Sequence, residues 1–187
     1  MSNAPRILAF CGSIRRESLN KKLLNAAVAA VREAGGEVTV LDLGEHELPL
    51  YHGDLEEARG LPENAAKLIS LIKEHQALLV ASPEYNGMIT PLLKNTLDWC
   101  TRGEEDPFEG KVAAVLSASP GAFGGMRSQQ MAQQLLLKLG CHVVPGATTL
   151  PGAHKAFDES GALTDERAKK SVRTLASALV DTARRFA

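Results

Sequence analysis

No stretch of this sequence is apolar for long enough to span a bilayer. Runs such as ALLVA (77–81) and VAAVL (112–116) are about five residues long, against the roughly 20 that a spanning helix needs. Net charge is nearly absent too: 21 basic and 22 acidic residues, interspersed along the chain, give −1. That balance argues against a nucleic-acid or anionic-membrane partner. Cysteine is scarce, with Cys11, Cys100 and Cys141 odd in number and far apart. That number and spacing argue against a disulfide framework, in keeping with a reducing compartment. The five histidines (His46, His52, His75, His142 and His154) form no pair at metal-ligand spacing and have no neighbouring cysteine pair, so no metal is expected. The amino terminus shows no basic region followed by an apolar segment, and the expected compartment is the cytoplasm. Missing as well are G-x-G-x-x-G and G-x-x-x-x-G-K-[ST], which sets aside a dinucleotide fingerprint and a nucleoside-triphosphate loop.

What is present is the composition of one soluble domain. The 187 residues are 44% hydrophobic and 23% charged, enough chain to bury a core. Residues 1–4, MSNA, read as a terminal tail, leaving a single domain over 5–187. Short apolar runs alternate with helical periodicity. Residues 7–11 predict a buried strand, and 19–34 a helix with Leu19, Leu23, Ala27, Ala30 and Ala34 along one stripe. Residues 38–43 predict a strand whose Thr39 and Asp42 suit a sheet edge. A loop over 44–60 follows, then a helix opened by Pro62 with Leu68, Ile69 and Ile72 inward. Residues 77–81 and 112–116 predict strands three and four, and a short fifth begins at His142. Thr90-Pro91 is a helix start, hydroxyl cap then proline. Another helix ends at Gly140, and a last one starts at Thr164 with Asp165 and Glu166 in its first turn.

Five strands alternating with five helices predict a three-layer α/β fold with a parallel sheet. Strand order 2-1-3-4-5 puts the polar second strand at an edge. Ligands of such a sheet bind at the carboxyl ends of the strands, near the switch between strands 1 and 3. The three loops richest in unusual residues leave strands 1, 3 and 4. The first, GSIRRESLN (12–20), joins a strand to a helix start, where backbone N–H groups and the helix dipole favour an anion. Ser13, Ser18 and Asn20 add neutral donors and Arg15 or Arg16 a charged one, which together suit a phosphate; the same residues also read as an N-cap and a solvated face. The second, SPEYNG (82–87), carries a carboxylate, a phenol and an amide where a bare turn needs only Pro, Asn and Gly. Its groups could meet a flat heterocycle, or Asn86-Gly87 could be a simple turn with Glu84 solvated. The third, SASPGAFGG (117–125), has four glycine or proline residues and two serines that allow close backbone approach to a ligand, or it is simply a flexible connection before a helix.

A different chemistry competes for the first loop. Low-molecular-weight tyrosine phosphatases place a cysteine after strand 1 and an arginine after five intervening residues. Cys11 sits correctly, but the arginine position holds Glu17, whose carboxylate repels a phosphate dianion. Cys11 therefore reads as a strand-end hydrophobe rather than a nucleophile.

Taken together, GSIRRESLNKKLL, PEYNGMITPLLKNTLDW and GAFGGMRSQQMAQQLL resemble the NADPH-dependent FMN reductase family of flavodoxin-like proteins, over roughly residues 6 to 150. That family includes quinone, azo-dye and chromate reductases. The resemblance implies FMN as cofactor, with Ser13, Arg15, Ser18, Leu19 and Asn20 at its phosphate end. Pro83, Glu84, Tyr85, Asn86 and Gly87 would border the isoalloxazine ring, and Ser117 and Gly121 would lie near the flavin. It further implies NADPH or NADH as hydride donor, a small acceptor (quinone, free flavin, azo compound or metal oxyanion such as chromate), ping-pong turnover, and a homodimer or homotetramer. Met88, Trp99 and Met131 are candidates for subunit contact, with burial in the core as the other reading. Arg127 could meet the pyridine nucleotide or sit on a charged helix face. The acidic loop TRGEEDPFEG (101–110) reads as solvated.

The chain departs from the family where a serine, an apolar residue and Pro-Gly often follow PEYN; here stand Met88-Ile89-Thr90-Pro91. A flavodoxin-like electron carrier, or a flavin-binding module without turnover, is the alternative reading. Carriers are acidic with the flavin between aromatic rings, whereas this chain is near neutral and only 4% aromatic. A flavin face left uncovered has room for a nicotinamide, which favours the reductase.

Overall fold

In the computed structural model, which describes residues 4–146 and 148–186, the apolar runs become the middle of a parallel sheet. Strands β1 (Arg6–Cys11), β2 (Glu37–Leu41), β3 (Ala77–Ala81), β4 (Val112–Ala118) and β5 (His142–Val143) take the order β2-β1-β3-β4-β5, as expected. β3 and β4 are buried along their whole length, while β2, at the edge, leaves Val40 half exposed. This is why the central strands are continuously apolar: in a parallel sheet covered by helices both faces are interior.

Helices α1 (Leu19–Glu33) and α6 (Glu166–Phe186) cover one face, packing on Ile7, Ala9, Leu79, Ala114 and Leu116. Helices α3 (Glu63–Glu74), α4 (Pro91–Cys100) and α5 (Met126–Lys138) cover the other, over Leu8, Phe10, Leu78, Val80 and Val115. Alternate residues of each strand thus supply the two cores. Leu23, Ala27 and Ala30 of the α1 stripe are buried, as are Leu68, Ile69 and Ile72 of α3. Among the described residues no helix is long and apolar enough to cross a membrane.

Four expectations are corrected. The fifth strand is two pieces, because β6 (Thr148–Leu150) also pairs with β4, farther along the same edge. The interruption includes Pro145, which has no N–H for the ladder, and Gly146, whose φ of 116° leaves extended geometry. The loop over 44–60 contains a helix, α2 (Gly53–Arg59), capped by the His52 ring, which accepts from the Leu55 N–H. Pro62 stands just before α3 as its N-cap rather than inside the first turn. The cap of α6 is Asp165, whose carboxylate accepts from the Ala168 N–H at 2.7 Å, while Thr164 donates its hydroxyl to the Ala156 carbonyl.

The three candidate contact residues diverge. Trp99 is fully buried, Met131 is half-buried and Met88 is half exposed. Trp99 anchors the segment before α2: its Nε1–H donates to the Pro49 carbonyl at 2.7 Å, and its ring packs T-shaped with Tyr51 at a centroid distance of 5.1 Å. The Asn95 amide holds the same segment, accepting from the Tyr51 N–H and donating to Pro49. In the acidic loop Glu104, Glu105 and Asp106 are exposed, as expected, while Phe108 anchors the loop in the core. Replacing Trp99 by Ala empties a large buried volume and frees Pro49–Tyr51. A loss of about 3–5 kcal/mol in urea unfolding followed by far-UV circular dichroism is expected, and a loss within about 1 kcal/mol would contradict this anchoring role.

Candidate functional site

The sheet register sets Cys11 beside Ala81 and Ala81 beside Leu116, so the loops after β1, β3 and β4 start side by side. Hydrogen bonds then tie each loop to the next. The Gly12 N–H donates to the Ala81 carbonyl at 2.9 Å, and the buried Thr90 hydroxyl donates back to the Gly12 carbonyl at 2.7 Å while capping α4. A side chain at position 12 would be crowded, since a Cβ would lie 3.0 Å from both Leu93 Cβ and Thr90 Oγ1. Between the second and third loops, the Ser82 N–H donates to Leu116 and the Ser117 hydroxyl donates to the Ser82 carbonyl at 2.6 Å. Between the third and first, the buried Asn20 amide donates to the Ala118 carbonyl at 2.8 Å and accepts the Ala118 N–H at 2.9 Å.

These ties enclose a cleft of 230 Å³ lined by Ser13, Arg15, Glu17, Ser18, Leu19 and Asn20 from the first loop, Pro83, Glu84 and Tyr85 from the second, and Ala118, Ser119 and Pro120 from the third. Its floor is the amino end of α1. Ser18 caps that helix, accepting from the Lys21 N–H, and the first intrahelical bond runs from the Lys22 N–H to the Ser18 carbonyl. The Leu19 and Asn20 N–H groups precede that bond and remain donors for a ligand. Glu17, the residue that argues against an anion here, lies near Arg16 at 3.9 Å and Lys22 at 3.5 Å. Among the described residues Arg15 has no ion-pair partner. With the Ser13 and Ser18 hydroxyls, a helix amino end and the Arg15 guanidinium on its first wall, the cleft has donors that can take an anion.

The SPEYNG turn is a miniature hairpin. Tyr85 and Met88 exchange both backbone hydrogen bonds at 3.0 Å, and Asn86 and Gly87 carry φ of 52° and 78°. Two consecutive positive φ values are the signature of a type I′ turn, for which Asn-Gly is the favoured pair. Tyr85 and Met88 are 48% and 50% exposed, so the hairpin offers an amphipathic edge at the mouth of the cleft. Behind it lies a buried relay of hydroxyls. Ser128 Oγ donates to the Pro83 carbonyl at 2.7 Å, and its contact with Ser82 Oγ, also 2.7 Å, must therefore be donated by Ser82.

Eight of the sequence-chosen residues line this one cleft: Ser13, Arg15, Ser18, Leu19, Asn20, Pro83, Glu84 and Tyr85. Asn86 and Gly87 form the hairpin tip outside it. Ser117 is wholly buried and bonded to Ser82, and Gly121 is exposed in a loop pinned to Gly152. The third loop reaches the cleft through Ala118, Ser119 and Pro120 instead, because β4 runs two residues past the apolar run that marked it. The Glu84 carboxylate accepts from the Arg127 and Ser128 N–H groups at 3.0 and 3.3 Å, and Arg127 adds an ion pair at 3.3 Å while its guanidinium lies 5.4 Å from the Phe123 ring. Larger grooves of 430 and 420 Å³ lie against α6, away from these three loops.

Burial pushes the Cys11 thiol up to about 11, although the Ser13 N–H and the Ser18 hydroxyl oppose the shift. Cys100 and Cys141 are pushed up to about 12 by the same loss of solvent. With its thiol at about 11, Cys11 holds only about one part in a thousand as thiolate at pH 8. A dithionitrobenzoate titration at pH 8 should find the folded protein slow to react and release three thiols after unfolding. A single fast thiol lost in Cys11→Ser would contradict this assignment.

Comparison with known proteins identifies the family. The profile of the NADPH-dependent FMN reductase family matches residues 5–155. The chain is 36% identical over 180 residues to the NAD(P)H-dependent FMN reductase of Pseudomonas aeruginosa, covering 96% of this chain and 95% of that one. It is 36% identical over 179 residues to an NAD(P)H:quinone oxidoreductase of Solanum tuberosum, covering 93% and 90%. Among solved structures, FerB, a flavoenzyme NAD(P)H:(acceptor) oxidoreductase from Paracoccus denitrificans, superposes with a TM-score of 0.83 at 30% identity over 98% of this chain and 99% of that one. With a three-loop cleft at the carboxyl ends of β1, β3 and β4 and a profile that spans most of its length, the chain belongs to the NADPH-dependent FMN reductase family.

Proposed function

We propose that this chain holds FMN in the three-loop cleft and uses NADPH or NADH to reduce a small acceptor, with a quinone as the acceptor class best supported. The observation that carries the reading is the convergence of the Ser13, Arg15 and Ser18 donors, the α1 amino end and the Tyr85–Met88 hairpin on one cleft. FMN, when bound, supplies hydride acceptance from a nicotinamide and passage of the electrons onward. The protein's part is to bind and orient.

Ser13, Ser18 and the Leu19 and Asn20 N–H groups would hold the phosphate, with Arg15 offsetting its charge. The enclosed 230 Å³ is below the usual size of a whole-ligand pocket, about 300–1,000 Å³, so it suits the phosphate and its chain while the ring lies toward the exposed hairpin. No ring stacks over the cleft among its lining residues apart from Tyr85 at the rim. Donor and acceptor can therefore use the same open side in turn, which gives ping-pong kinetics. Sequence relatives named NAD(P)H:quinone oxidoreductase support a quinone; the Met88 thioether beside the mouth, in place of the family's frequent serine, favours an apolar acceptor over a metal oxyanion. The assembly we assign is a homodimer or homotetramer, with Met88 rather than Trp99 at its contact surface, because Trp99 is wholly internal.

Purified protein incubated with FMN and desalted should keep visible flavin bands that bleach with NADPH and return with a benzoquinone. Bleaching without acceptor turnover would point to an electron carrier, and a colourless protein would overturn the assignment. Arg15→Ala should weaken FMN binding about tenfold and leave riboflavin, which lacks the phosphate, unchanged.

A further inference from the structure

We propose that Glu84 is a positioning residue: its carboxylate is the amino-terminal cap of α5, and through that cap α5 fixes the hairpin at the mouth of the cleft. The inference rests on the flavin reading for its consequence in binding, but its structural part stands on hydrogen bonds within the protein.

Helix α5 begins at Met126, so its N-cap is Gly125, which has no side chain to accept from the first-turn N–H groups. That position cannot be given one. Its φ is 84°, and a Cβ there would overlap the Ser117 hydroxyl. The space is taken because Ser117 donates to the Ser82 carbonyl, one of the ties that set the second loop against the third. The preceding Gly124 is also closed to side chains, since a Cβ would lie 2.6 Å from the Pro151 nitrogen. An uncapped helix start packed beside a cleft leaves N–H groups without partners. The missing acceptor arrives from the hairpin. Glu84 takes the Arg127 N–H at 3.0 Å and the Ser128 N–H at 3.3 Å, the second and third residues of α5, which are the groups a cap side chain normally serves.

The carboxylate is well placed for this work. It is 15% exposed, its charge faces the positive end of the α5 dipole, and the Arg127 guanidinium closes over it at 3.3 Å. Immediately behind, Ser128 Oγ bonds the Pro83 carbonyl, so the residues on either side of the Pro83–Glu84 peptide are both held by the first turn of α5. Beyond Glu84 the chain makes only the Tyr85–Met88 hairpin before re-entering α4. The hairpin therefore inherits its orientation from α5. This assigns Glu84 a different role from the ring contact that the sequence suggested: the carboxylate is engaged by the helix, and its effect on a ligand is transmitted through Tyr85 and its neighbours.

The test uses amide exchange read by NMR on the full-length protein, before and after saturation with FMN, together with the affinities of FMN and riboflavin. In Glu84→Ala the Arg127 and Ser128 amides should exchange about tenfold faster even without flavin, in line with the loss of a charged cap. FMN and riboflavin should weaken by similar factors, since the disturbed element borders the ring and not the phosphate. Glu84→Gln, which keeps an acceptor oxygen, should restore most of both. Arg127→Ala keeps the carboxylate and the backbone bonds, and should leave the Ser128 amide protected; it carries the test if Glu84→Ala fails to fold. Native protection of both amides in Glu84→Ala would overturn the proposal, as would loss of Ser128 protection in Arg127→Ala to the same extent. Should the wild-type protein bind no flavin, the assignment of FMN fails while the exchange data still decide the cap.

Discussion

The molecule depends on the end of β4 being held against the start of α1. The Asn20 amide does this with both of its functional groups, answering the N–H and the carbonyl of Ala118 as a neighbouring strand would. Both partners are buried, so an unanswered peptide group there would cost about 1–3 kcal/mol. Because α1 starts at Leu19, just after its Ser18 cap, and β4 ends at Ala118, the clasp also sets the floor of the cleft against the third loop.

Seen from there, the three loops are one object. Thr90 bonds Gly12, Ser117 bonds Ser82, and Glu84 with Ser128 join the second loop to α5. Each tie is a short polar side chain bonded to a distant backbone group, in a region with little room. Gly125 is forced by that crowding, since a Cβ there would overlap the Ser117 hydroxyl, and Gly12 is pressed close to Thr90 and Leu93. Rigidity of this kind suits a protein that holds a prosthetic group and leaves the chemistry to it. It also explains why no catalytic triad or buried acid–base pair is needed, and why Cys11, though well placed in sequence, stays a protonated core thiol with a value near 11.

The sheet was legible because β1, β3 and β4 are buried on both faces and must be apolar throughout, and β2 announced its edge position by its polar residues. Helix starts with local caps, Ser18 and Thr90-Pro91, were equally plain. The cleft's first wall was legible for the same reason, since Ser13, Arg15 and Ser18 lie on a strand-to-helix turn. What stayed hidden was partnership over distance. Nothing near Glu84 says that it caps a helix 43 residues on, and nothing near Ser117 says that its hydroxyl closes on Ser82. Strand β4 continuing through Ser117 and Ala118 shifted the third wall to Ser119 and Pro120, because pairing with β6 rather than apolarity extends it. Helix α2 was missed for want of an apolar stripe: none of its residues is buried.

On the proposed reading these three loops form one flavin cradle, with the anion end at α1 and the ring end at the hairpin. A crystal structure of the FMN complex tests it most directly. The phosphate is expected within hydrogen-bond reach of Ser13, Ser18 and Arg15, and the ring edge along the backbone of residues 83–87. A flavin seated in the grooves beside α6, or turned with its ring toward α1, would contradict it.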